Sequence, residues 1–80
     1  MSDSEVPYTT YEFTVTGEVP DRMLATFPGM KPQRRGEETV LRVGLADRPA
    51  LMSVLAVIDL FGLSLVNLRR IPPDEDPPAE

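Results

Sequence analysis

The chain contains no cysteine, no histidine and no tryptophan. Without cysteine there is no disulfide framework, no thiol nucleophile and no thiolate metal site. Without histidine the usual general base and the commonest metal ligand are both missing. The single lysine, Lys31, stands beside a proline in a polar stretch, poorly placed for the burial that would activate it. The five glycines are scattered, so there is no glycine-rich phosphate loop. Thr9, Thr10 and Ser53 have no base beside them, the adjacent Glu37 and Glu38 read as a solvated turn pair, and Asp47 reads as a helix cap. These absences lead us to expect a protein that is not an enzyme and needs no metal or cofactor. The longest apolar stretch, Ala50 to Leu65, is interrupted by Ser53, Asp59 and Ser64, too short and too polar to cross a bilayer. The opening residues, MSDSEV, lack the basic and apolar regions of a secretory signal. With the lack of cysteine, this leads to an expectation of a cytoplasmic protein with no membrane partner.

What is present fits one small domain. Eighty residues, 41% of them apolar and 26% charged, make an ordinary globular balance. A chain this short buries only about 60% of its extended surface, so its core is modest. The formal net charge is −5, but Asp3, Glu5, Asp74, Glu75, Asp76 and Glu80 sit at the two ends. Removing those six from the 13 acids leaves seven against eight bases, a nearly neutral middle. An acidic total argues against non-specific nucleic-acid binding. The expected organisation is a loose segment 1–7, a domain 8–71, and a disordered acidic, proline-rich tail 72–80.

Along the domain, Tyr11, Phe13 and Val15 alternate with Glu12, Thr14 and Thr16, the period of a half-buried strand that Gly17 ends. Met23, Leu24 and Phe27 stand at helical spacing, which predicts a short helix over 22–27 with Asp21 as its N-cap. Pro28-Gly29 stops it. Met30 to Arg35, with its internal Pro32, reads as an edge strand. After the turn at Gly36-Glu37-Glu38, residues 39–45 form a strand with Leu41, Val43 and Leu45 on one side and Val40, Arg42 and Gly44 on the other. A helix over about 48–61 follows, capped by Asp47, opened by Pro49 and ended by Gly62. Residues 65–71 form the last strand, halted by Pro72-Pro73. The order β-α-β-β-α-β, with right-handed crossovers, predicts an α+β sandwich of the ferredoxin-like type. Its four-stranded antiparallel sheet carries both helices on one face, with strand order 4-1-3-2.

Two surfaces stand out. Leu51, Val54, Leu55, Ile58 and Phe61 share the core face of the long helix, which leaves Met52, Ala56, Val57 and Leu60 largely off it. Either Val57 and Leu60 pack sideways on the short helix, or Met52, Ala56 and Leu60 form a subunit interface. The helix-free face should show Glu12, Thr14, Thr16, Val40, Arg42 and Arg69. Its arginines either pair with Glu12, Glu37 and Glu38, or take an anionic ligand with help from Arg34 or Arg35. Tyr11 and Phe13 share the core phase of Val15, so they are not a base-stacking platform and nucleic acid is not expected as a partner.

The run Val43 to Ala50, the helix after it, and Gly62 to Leu68 resemble the strand, Asp-Arg-Pro-Gly, helix and Gly-x-x-Ile-x-x-Ile pattern of ACT domains. Ala50 stands where that pattern has its glycine. The resemblance implies a paired regulatory module that binds an amino acid at the loop opening its helix, with Asp47, Arg48 and Ala50 lining the site. The chain as a whole also resembles an uncharacterised family of small bacterial ferredoxin-like proteins. That likeness is carried by Tyr11–Gly17, Leu24–Gly29, Thr39–Leu41, Asp47–Leu55 and Gly62–Arg70. The expectation that results is a non-enzymatic interaction or regulatory module that forms a homodimer and meets a protein partner. The alternative is an ACT-like amino-acid sensor with its ligand at a dimer interface.

Overall fold

The computed structural model describes residues 8–72. Six elements follow in order: β1 (Thr9–Thr16), α1 (Asp21–Thr26), β2 (Lys31–Arg35), β3 (Glu38–Leu45), α2 (Arg48–Leu60) and β4 (Ser64–Ile71). The strands form one sheet in the order β2-β3-β1-β4, every neighbouring pair antiparallel. Met23 of α1 and Val54 and Ile58 of α2 join Phe13, Val15, Leu41, Val43 and Leu45 in a single core, which puts both helices on the same sheet face. This is the ferredoxin-like α+β arrangement. Residues 1–7 and 73–80, on which most of the two expected tails falls, lie outside the described residues.

The centre of the core is made by β1 and β3. Phe13, Val15 and Leu41 are fully buried, and each contributes roughly 1.5–3 kcal/mol through the apolar surface it removes from water. α2 begins as its residues require. The Asp47 carboxylate accepts the Ala50 N–H at 3.0 Å, and Pro49 lies in the first turn, where its missing N–H costs nothing. The helix ends in a Schellman motif. Gly62, at φ +75°, donates to the Asp59 carbonyl, and Leu63 donates to that of Ile58 while its own side chain is buried.

α1 departs from expectation at its start. Pro20 occupies the N-cap position, no side chain caps the helix, and Asp21 is the first helical residue. Pro20 supplies extended backbone and its carbonyl receives the Met23 N–H at 3.0 Å. The helix ends at Thr26, one residue early, because Phe27 turns extended as the C-cap. The guanidinium of Arg22 lies 5.4 Å over the Phe61 ring and ties α1 to the end of α2. β4 carries an irregularity that no periodicity showed. Thr14 pairs with Asn67 and Val15 with Leu65, so Val66 is an extra residue in the strand.

Gly17 is the sharpest local constraint. It leaves β1 at φ +110°, and a Cβ there would stand 2.8 Å from Leu63 Cδ2. Gly17→Ala should therefore cost about 1–3 kcal/mol through backbone strain and contact with the core. In a domain of this size that lowers Tm by several degrees per kcal/mol, about 4–8 °C, and a melt followed by circular dichroism reads it directly. A Tm equal to that of the parent would refute the constraint.

Candidate functional site

Three features of the surface carry chemistry. The first is an ionic bridge in the middle of the helix-free face. Glu12 is the second residue of the Tyr11–Glu12–Phe13 alternation, so it points away from the core while its neighbours point in. Register places Arg42 of β3 opposite it on one side and Arg69 of β4 opposite it on the other. Arg42 Nε donates to Glu12 Oε2 at 3.2 Å, and Arg69 Nε donates to Oε1 at 3.0 Å. Each carboxylate oxygen thus takes one charged hydrogen bond. Glu12 is buried, at 7% exposure, although no helix covers this face. Burial by itself raises its pKa, but the hydrogen bonds and charges of Arg69 and Arg42 outweigh it and hold the carboxyl below its ordinary value.

Arg42 and Arg69 thus both pair with Glu12. Among the described residues, neither Glu37 nor Glu38 forms an ion pair. Val40 and Ile71, on the same face by register, are also buried, and neither belongs to the main core. Sequence reasoning placed Val40 correctly by phase and missed its burial, because phase does not report how neighbouring side chains lean.

The second feature is a cleft of about 420 Å³ where β1 and β3 meet the start of α2. Thr9, Tyr11, Leu45, Asp47, Arg48 and Met52 are among its walls. Asp47 and Arg48 therefore stand together in its wall. Ala50 does not line it. It is half-buried against the core, and its N–H is already taken by Asp47. Leu51 N–H donates to the Asp47 carbonyl at 3.3 Å, so Asp47 receives two N–H groups of the first turn.

The third feature is the outer face of α2. Leu60 is 77% exposed and Met52 55%, with exposed Ala56 between them. The reading in which Leu60 packs sideways on α1 is corrected by that exposure. Val57, by contrast, is half-buried against the core. Among the described residues there is no group of three or more potential metal ligands, and no helix is long and apolar enough to cross a membrane.

Fold and site together define a small ferredoxin-like domain whose helix-free face carries a carboxylate clamped by two arginines. Residues 10–69 match a domain of unknown function, DUF8691, and the chain belongs to that family. No curated protein and no solved structure matches the chain.

The bridge makes stability depend on pH with a definite sign. The folded pKa of Glu12 lies below its unfolded value, about 4.3. Its contribution is present above that value and is lost as pH falls through the folded pKa. Urea unfolding from about pH 7 to about pH 3 should show this loss, and Glu12→Gln should flatten the acid limb. At neutral pH the same substitution should cost about 1–3 kcal/mol, toward the lower end because both arginines are partly exposed. An unchanged acid limb in Glu12→Gln would contradict the assignment.

Proposed function

We propose that this protein is a non-enzymatic interaction or regulatory module of the cytoplasm that works as a homodimer, joined through the outer face of α2. The exposed stripe of Met52, Ala56 and Leu60 carries this reading. Its spacing is symmetric about Ala56. In an antiparallel crossing around a two-fold axis, Ala56 meets its twin, and Met52 of each copy meets Leu60 of the other. The small residue on the axis lets the helices approach, and the large ones fill the space to either side. Asp59 then lies opposite Ser53, so no like charges face each other. α2 spans about 20 Å, long enough for the helix pair and its flanks to bury the ~1,000 Å² that a stable dimer needs. The reading as non-enzymatic rests on the side-chain inventory, with Lys31 exposed on the outermost strand and the buried carboxylate committed to two arginines.

A second reading, an ACT-like amino-acid sensor, draws on the cleft beside α2. Asp47 and Arg48 present opposite charges on the wall of a space large enough for an amino acid, and a zwitterion has both charges to match.

Light scattering over a range of concentrations should give a mass near twice 8.9 kDa, and Leu60→Glu should return the chain to a monomer with its fold intact by circular dichroism. A parent chain that is monomeric throughout would overturn the dimer. For the sensor, a thermal-shift screen of the amino acids should raise Tm for one chemical class by mass action, and Arg48→Ala should abolish that gain.

A further inference from the structure

The ionic bridge of the helix-free face is part of a longer row. Lys31 of β2 lies directly opposite Arg42, Arg42 opposite Glu12, and Glu12 opposite Arg69. Four charged side chains therefore cross all four strands at one register level, in the order Lys31, Arg42, Glu12, Arg69. Glu12 neutralises one of the three cations, which leaves the row at +2. Beside Lys31 and Arg42 the face opens into a depression of about 320 Å³, with Gln33 and Val40 also in its walls. Lys31 makes no ion pair among the described residues. In a chain whose net charge is −5, this is a concentrated positive surface, and its arginines are held in place by Glu12 rather than swinging in water.

We infer that this row is a docking surface for an acidic peptide segment, and that its occupant is the chain's own Asp74-Glu75-Asp76. Position and charge both point there. β4 delivers the chain to Ile71, which lies on the helix-free face by register and two residues beyond Arg69. Strands lie about 4.8 Å apart, so Arg42 is about 10 Å and Lys31 about 14 Å across the sheet from β4. At up to ~3.5 Å per residue, the three to five residues from Ile71 to Asp74 and Asp76 span about 10–17 Å, which matches that width. Three consecutive carboxylates bring −3 to a row of +2. Pro72, Pro73, Pro77 and Pro78 fix φ on both sides of the acids, which reduces the conformational entropy lost on docking. The contact is ionic and largely exposed, so it is sensitive to salt and open to competition by an acidic segment of another protein. This inference is independent of the dimer proposed through α2, on the opposite layer of the fold.

The chain's lack of cysteine makes a direct test possible. A nitroxide on Ala79→Cys in the full ¹⁵N-labelled chain reports what residues 73–80 approach. At about 0.01 M salt, where the Debye length is ~30 Å, the amide signals of Gln33, Val40 and Arg42 should broaden. At about 1 M salt, where it falls to ~3 Å, they should recover. They should also recover in the triple variant D74N/E75Q/D76N, and broadening should weaken in Lys31→Ala, which leaves the Glu12 bridge intact. Broadening confined to the neighbourhood of Ile71, or unchanged by salt and by the triple variant, would overturn the inference. So would broadening that occurs only on mixing ¹⁵N chains with separate nitroxide-bearing chains, since the occupant would then be another molecule.

Discussion

A two-layer fold with both helices on one side of its sheet leaves the central strand with a face that no helix covers. β1 sits between β3 and β4 and cannot give that face wholly to water, because neighbouring side chains close over it. Glu12 occupies its middle at 7% exposure. A carboxylate there must be paired or give up its charge, since an unpaired buried charge costs several kcal/mol. Arg42 and Arg69 meet that requirement from two different strands. The bridge binds β3 and β4 to β1 by side chains as well as by backbone. It also specifies register, because a slip of one residue would send Glu12 into the core and Phe13 out of it.

The other layer is constrained by the brevity of α1. Six residues cover Met23's share of the core and little more. α2 therefore supplies most of the helical cover, and among the described residues Met52, Ala56 and Leu60 on its outer side stay exposed. The apolar stripe of Met52, Ala56 and Leu60 lies there, while the cationic row lies on the opposite surface of the molecule. One surface offers dispersion and desolvation, the other long-range charge.

Much of the architecture was legible from short-range pattern. The alternation through Tyr11, Phe13 and Val15 reports β1, Pro32 among basic residues reports an edge strand, and Asp47, Pro49 and Gly62 bracket α2. Elsewhere local signals compete. Asp21 is a good cap by residue type, but Pro20 before it already has the extended backbone that the position needs. In β4 the extra residue Val66 shifts the alternation, so that Leu65 and Leu68 share a phase although three positions separate them. Met30 and Thr39 are buried because of what stands beside them, which neither residue signals alone. At the cleft, Asp47 and Arg48 stand in the wall, whereas the Ala50 N–H is bonded to Asp47.

By itself the sequence determined the element order, the caps and breaks of α2, the phase of each central strand and the absence of the usual catalytic side chains. Those properties depend on residues within a few positions of one another, where spacing and geometry are nearly the same thing. Only the tertiary structure decided that Glu12 is buried, that its two oxygens face Arg42 and Arg69, and that Lys31 continues their line. The partners stand 30 and 57 positions from Glu12 and come within 3.2 Å only because three strands align in one register. Contacts of that kind belong to the pairing of whole strands, and no local pattern encodes the pairing.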